Sequence, residues 1–243
     1  MISKKRIGII GGMGTQAGAN LFQKLIDLSP ANNDQGFMEV FLHSNSQIPD
    51  RTRAIVYGEE SPLKEMIRSI DLMNKSGVEL LLLACNTIYH YYDEFVTYAD
   101  AIVLNPIHLL REYVVEKGFK KIGILGTTGT MAANMFDNEL RQYDKEIIKL
   151  DSWEQENLFM ESVYGKNGLK SSTISQETID KMHNAVRLLI DRGAEIIVGG
   201  CSEISIAVQQ SDIPIPYIDT MDLMAQKAIE ECYYKEKVLN YNQ

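Results

Sequence analysis

The chain has 243 residues, 45% of them hydrophobic and 23% charged, a globular composition long enough for a sizeable core and without signs of disorder. Its 33 acidic against 24 basic residues give a net charge of −9, which disfavours nucleic acid or an anionic membrane as partner but leaves a small anionic ligand open. The longest apolar run, Leu80 to Cys85, is far too short to cross a bilayer, and Ile7 to Ile10 is too short for a signal-peptide core, so a cytoplasmic location with reduced thiols is expected.

Short apolar segments recur along the chain: Ile7 to Ile10, Phe37 to Leu42, Leu80 to Ala84, Ile102 to Leu104, Ile122 to Leu125, Glu146 to Leu150, Ile196 to Val198 and Ile215 to Ile218. Most are rich in Ile, Val and Leu and are separated by stretches of helical period, the pattern of βα units and parallel sheets. Ser61 and Pro62 open one predicted helix, which carries Leu63, Met66, Ile67, Ile70 and Met73 to a stop at Gly77. A second runs from Ser175 through Ile179, Met182, Val186 and Leu189 to Gly193. Each leads directly into a strand that ends in cysteine.

These elements form two copies of one unit. Ile7 and Ile122 stand 115 residues apart at the first strand of each copy, and Cys85 and Cys201 stand 116 apart at the end of the third. The expected fold is α/β, with two pseudo-symmetric, doubly wound lobes of parallel sheet and a cleft between them. Asn105-Pro106 and Ile213-Pro214-Ile215-Pro216 are the expected hinges, because proline cannot continue a ladder. They divide the chain into residues 1–106 plus 214–243, which carry Cys85, and residues 107–213, which carry Cys201. Ligands of such folds lie beyond the C-terminal strand ends, where both thiols fall.

Gly11-Gly12-Met13-Gly14 follows a strand and precedes a helix, so its amides can face an anion, with Met13 in the binding set. As Gly12-x-Gly14-x-x-Ala17 it matches a dinucleotide fingerprint in part only, since His43-Ser44-Asn45 stands where an acid is required after the second strand. Asn86 and Thr87 trail the first cysteine, Ser202 and Glu203 the second, and Thr127 and Thr128 end the strand that opens the second copy. Asn86, Thr87, Thr127, Thr128 and Ser202 are therefore candidate substrate donors. Arg51 follows Pro49-Asp50, and its planar fork fits a carboxylate. Asp50 is a candidate for the substrate ammonium or for orienting a cysteine, and Glu203 for supporting Cys201. Cys232 has no counterpart in the other copy and reads as structural. The histidines are scattered without ligand spacing, so no catalytic metal is expected.

Gly11-Gly12-Met13-Gly14, Pro49-Asp50-Arg51-Thr52, Ala84-Cys85-Asn86-Thr87, Tyr164-Gly165-Lys166 and Gly200-Cys201-Ser202-Glu203 together resemble the aspartate/glutamate racemase family, in order and over nearly the whole chain. The resemblance implies a cofactor-independent racemase in which Cys85 and Cys201 act as base and acid on opposite faces of the substrate α-carbon. It also implies that Arg51 and Lys166 hold the acidic side chain, and that the chain forms a homodimer. The glycines around Lys166 suit a lid. Three positions depart from the family pattern: Thr15 for proline, Tyr89 with His90 beside it for histidine, and Ser202 for threonine.

Thiols suit this chemistry independently of the resemblance, because an ordinary pKa of about 8.5 lets one serve as thiolate while its partner stays protonated. Aspartate is the expected substrate and glutamate the next. The alternatives are an enzyme racemising or isomerising another small acid, of maleate, hydantoin or arylmalonate type, or a non-catalytic dicarboxylate-binding protein.

Overall fold

The structure is a computed structural model that describes residues 4–234. Its first copy comprises β1 (Ile7–Gly11), α1 (Thr15–Leu28), β2 (Val40–Ser44), α2 (Arg51–Tyr57), α3 (Leu63–Lys75), β3 (Leu80–Leu83), α4 (Tyr92–Phe95), β4 (Ile102–Val103) and α5 (Pro106–Lys117). The second comprises β5 (Lys121–Leu125), α6 (Thr128–Ala132), α7 (Met135–Leu140), β6 (Glu146–Ile148), α8 (Ser152–Glu154), α9 (Glu161–Tyr164), α10 (Gln176–Asp191), β7 (Ile196–Gly199), α11 (Ile204–Ala207), β8 (Tyr217–Asp219) and α12 (Thr220–Tyr233). Between α8 and α9 the backbone continues as a π-helix over Gln155–Met160.

Each copy forms a parallel four-stranded sheet, in the order β2-β1-β3-β4 and β6-β5-β7-β8. The duplication extends to register, with Ile7 opposite Leu80 in one sheet and Ile122 opposite Ile196 in the other. The inner strands β1, β3 and β7 are buried on both faces, which explains their unbroken apolar runs. The helix stops also correspond. Gly77 and Gly193 adopt φ of 65° and 89°, a left-handed conformation that glycine enters without strain, and each turns its helix into a thiol-bearing strand.

One expected boundary is corrected. The segment 214–219 belongs with the second sheet, because β8 pairs with β7 through Ile197↔Tyr217, Val198↔Ile218 and Gly199↔Asp219. Only the helix that follows returns to the first lobe. Pro214 and Pro216 precede β8, at a strand start where a missing N–H costs no ladder bond. The crossover itself lies at Asp219-Thr220, whose counterpart is Asn105-Pro106.

The two helices after these crossovers are exchanged. The face of the first sheet formed by Ile7, Ile9, Leu80 and Leu82 is covered by α1 and by Met221, Met224, Ala225 and Ala228 of α12. In the second sheet, Ile122, Ile124, Ile196 and Val198 share a cluster with Phe136 and Leu140 of α7 and Ile107, Leu110 and Val114 of α5. Each sheet thus feeds its last helix onto the other lobe. Side-chain caps hold both turns: Asn105 accepts from the Ile107 amide at 3.0 Å and Asp219 from the Met221 amide at 2.8 Å.

Candidate active site

Both thiols lie just beyond the C-terminal ends of β3 and β7, and both line one cavity of about 10 Å³ between the lobes. Met13, Arg51, Asn86, Thr87, Thr127, Tyr164, Lys170, Ser202 and Glu203 complete its wall. That is room for about one water molecule, so the cleft is closed and must open to admit an amino acid. Larger hollows, of about 350 and 390 Å³, lie around Phe22 and Phe37 and around His183 and Ile213, away from both thiols. Their size reflects open surface grooves, whereas the chemistry-bearing groups converge in the closed one.

The glycine turn after β1 brings bare backbone to this cleft. Gly12 has φ of 88° and lies so close to Asn45 that a Cβ would sit 2.4 Å from that residue's carbonyl oxygen. A Cβ on Gly14 would lie 2.5 Å from Oε1 of Glu203, in the opposite lobe. The group the turn presents to the cleft is the carbonyl of the buried Met13. It accepts from Nη2 of Arg51 and, at 2.7 Å, from Nζ of Lys170.

Arg51 opens α2 behind its N-cap Asp50 and is 5% exposed. Its hydrogen bonds go to neutral carbonyls: Nη1 reaches Pro49 at 3.0 Å and Nη2 reaches Met13, while Nε has no partner. Among the described residues no carboxylate forms an ion pair with it. Burial opposes its charge, but Cys85, Asp50 and Tyr164 outweigh that effect and hold the guanidinium above its ordinary pKa.

The second thiol has an acidic neighbour. Sγ of Cys201 donates to Oε2 of Glu203 at 3.0 Å, Ser202 Oγ donates to the same oxygen at 3.1 Å, and Lys170 Nζ meets Oε1 at 2.9 Å. Burial, and after it the Glu203 charge, push the Cys201 thiol well above its ordinary pKa. Burial would also raise Glu203, yet Lys170 and the donors from Cys201 and Ser202 hold that carboxylate below its usual range. Lys170 is likewise kept above its ordinary value, because Glu203 and Cys201 outweigh its burial.

Hydroxyls knit the lobes together nearby. Thr87 Oγ1 lies 3.0 Å from that of Thr127 and 2.9 Å from that of Thr130. Asn86 Nδ2 donates to Thr220 Oγ1 at 2.8 Å, which leaves the Asn86 amide oxygen buried without a protein donor. Tyr164, at the end of α9, spans the cleft mouth. Its hydroxyl donates to Oδ2 of Asp50 at 3.1 Å, and its ring lies 5.2 Å from Nζ of Lys170.

Three sequence candidates stand outside the cavity wall. Lys166 is exposed in the turn after α9, and Lys170 is the lysine of that segment that reaches the thiols. The physical reason is the anchor next to it: Leu169 is fully buried, so the chain dives back inward just before Lys170. Thr128 turns to Glu156, its Oγ1 donating at 2.5 Å. Asp50 caps α2 through the Arg53 amide at 2.9 Å and holds Tyr164. Tyr89, in the slot where histidine was expected, is buried and donates to the Leu104 carbonyl at 2.6 Å, while His90 is exposed and packs edge-on against Tyr91.

Two parallel sheets, each with a cysteine just beyond the end of the corresponding strand, define a duplicated α/β protein. A family model described as Asp/Glu/Hydantoin racemase matches residues 10–228, and the chain belongs to that family. It is 25% identical over 230 residues to the broad specificity amino-acid racemase RacX of Bacillus subtilis, covering 92% of this chain and 96% of the relative. Among solved structures, aspartate racemase of Picrophilus torridus matches with a TM-score of 0.84 and 26% identity over 94% of each chain. Glutamate racemase of Francisella tularensis in complex with D-glutamate shares the fold, with a TM-score of 0.64 and 16% identity over 100% of this chain and 86% of the other. No helix among the described residues is long and apolar enough to cross a membrane.

Proposed function

We propose that the chain racemises an acidic amino acid, aspartate before glutamate, with Cys85 and Cys201 as the two acid–base groups. The observation that carries this reading is the convergence of the buried Arg51 guanidinium and the part-buried Lys170 ammonium on the single neutral carbonyl of Met13 beside both thiols. A neutral oxygen is a weak partner for buried charge, and a carboxylate is a strong one. Substrate binding would replace the Met13 contact with charge-assisted bonds, and the free Nε of Arg51 supplies a further donor.

The reaction needs one thiolate and one thiol. Burial and Glu203 keep Cys201 in the protonated form, which makes it the first proton donor, and the role of base falls to Cys85 with Arg51 as its counter-charge. The Cys85 thiolate takes the α-proton, the electron pair left on carbon is spread into the α-carboxylate, and Cys201 delivers its proton to the opposite face. The thiols then hold exchanged protonation states, and after product leaves, Cys85 loses a proton to water and Cys201 regains one from it, which restores the starting states. Thr87, Thr127 and Ser202, which line the cavity, would stabilise the carboxylate, and the unpartnered Asn86 amide oxygen would accept from the ammonium. No step in this scheme uses a cofactor.

The deciding experiment is α-proton exchange in deuterated water with both enantiomers of aspartate and glutamate. Other amino acids and small acids belong beside them, because the Bacillus subtilis relative has broad specificity. Wild-type protein should exchange and invert an acidic amino acid, and Cys85→Ser and Cys201→Ser should each abolish inversion. Inversion at the wild-type rate in either variant would sink the two-thiol assignment. Binding without exchange would instead mark a non-catalytic dicarboxylate-binding protein.

A further inference from the structure

We propose that Thr220 is a positioning residue that ties the two thiol-bearing strand ends together and sets how the thiols face one another. The inference rests on the two-thiol reading above. Thr220 is fully buried at the start of α12, the helix that crosses from the second lobe to the first. Its Oγ1 accepts from Nδ2 of Asn86 at 2.8 Å and donates to the carbonyl of Gly199 at 2.9 Å. Asn86 directly follows Cys85, and Gly199 ends β7 two residues before Cys201. One hydroxyl therefore joins the segment carrying the first thiol to the segment carrying the second, using both its donor and its acceptor capacity.

The duplication shows that the fold itself does not require this tie. The crossover of the first copy, Asn105-Pro106, corresponds to Asp219-Thr220, and proline at the position of Thr220 offers no hydroxyl. Both crossovers are capped and both helices form, yet only one carries a side chain that bonds to both strand ends. The Asn86 amide is also fixed by this bond, which leaves its oxygen as the end presented to a ligand. In a two-base reaction the proton is removed from one side and returned on the other within one closed complex. A small misplacement of the donor thiol lets the removed proton exchange and return to the side it left.

Thr220→Val keeps the shape and removes the hydroxyl, Thr220→Ala removes it with less bulk, and Thr220→Ser retains it. Each is compared with wild type for kcat, KM and the ratio of inverted to retained product carrying deuterium from deuterated water, with the folded fraction measured by near-ultraviolet circular dichroism. The valine and alanine variants should lose about tenfold to a hundredfold in kcat with KM within about threefold, and a larger share of deuterium should appear in the unreacted enantiomer. The serine variant should recover both readouts. If Val and Ala variants lose only folded protein while keeping wild-type kcat and the wild-type inversion ratio per folded molecule, the tie is refuted. Alanine serves if valine prevents folding. Absence of exchange in wild type with every acid tested refutes the two-thiol reading and the tie with it, whereas a racemising wild type with unaltered variants refutes the tie alone.

Discussion

Oε2 of Glu203 lies 3.0 Å from Sγ of Cys201, and this pairing sets an acid beside one thiol while a guanidinium stands beside the other. The duplicated scaffold therefore holds two electrostatically opposite environments. Because burial and the Glu203 charge both raise Cys201, replacing Glu203 by Gln removes one of the two and exposes the thiol to an unopposed Lys170. Activity that needs Cys201 protonated falls as pH rises through its pKa, so in Glu203→Gln the alkaline limb of the kcat profile should move to lower pH. An alkaline limb that stays in place or moves upward would show that Glu203 does not tune this thiol.

Lys170 and Lys166 are four residues apart and should behave oppositely. Lys170→Gln removes charge-assisted bonds to Glu203 and to a bound carboxylate, each worth about 1.5–3 kcal/mol, and should lower kcat/KM by roughly tenfold to a hundredfold or more. Lys166→Ala changes an exposed side chain and should stay within about twofold of wild type. Equal losses in steady-state assays of the two variants would overturn the geometric assignment.

Asp219 is fully buried, and burial, followed by the Asp222 charge, raises its pKa from the ordinary 3.8 to about 7. Between these values the folded chain keeps a proton that the unfolded chain has lost, so stability falls as pH rises from about 4 to about 7. Asp219→Asn keeps an oxygen for the Met221 amide and abolishes the titration. The variant should match wild type near pH 4 and exceed it by roughly 2–4 kcal/mol above pH 8. Denaturant melts across that range provide the check, and parallel curves for the two proteins would contradict it.

Gly14 separates backbone need from site need. Its φ of −100° is open to any residue, but a Cβ there meets Oε1 of Glu203 at 2.5 Å. Gly14→Ala should therefore lower kcat while leaving the melting temperature nearly unchanged. Gly12→Ala, with φ of 88° and a clash against Asn45 backbone, should instead destabilise the whole protein by about 1–3 kcal/mol. Thermal melts and initial rates on the same samples would separate the two, and a drop in stability with unaltered kcat for Gly14→Ala would count against the proposed cleft contact.

The repeated strands and the position of both thiols beyond strand ends were legible because short branched-aliphatic runs and glycine stops recur at constant spacing, whereas the strand order within each sheet was not read from the sequence. Less legible was where the chain crosses between lobes. In the first copy proline marks the crossover, since Pro106 opens α5, but in the second Pro214 and Pro216 mark only the approach to β8. The true crossing at Asp219-Thr220 has ordinary helix-capping chemistry and no proline. Lys170 escaped notice for a similar reason: its reach follows from the burial of Leu169 beside it, which does not show in a tyrosine-glycine-lysine motif. Thr130 and Thr220 matter through partners in the opposite lobe, at sequence separations no local pattern reports.

The exchange of α5 and α12 has a consequence for the order in which the chain can mature on the ribosome. The apolar face of the first sheet waits for Met221, Met224, Ala225 and Ala228, so an N-terminal half emerging first carries an incompletely covered hydrophobic surface until α12 is made. The duplicated halves look like independent units, yet cutting the gene between them would strip each sheet of its lid. Separately expressed halves should aggregate alone and regain solubility only when produced together, each bringing the helix its neighbour lacks.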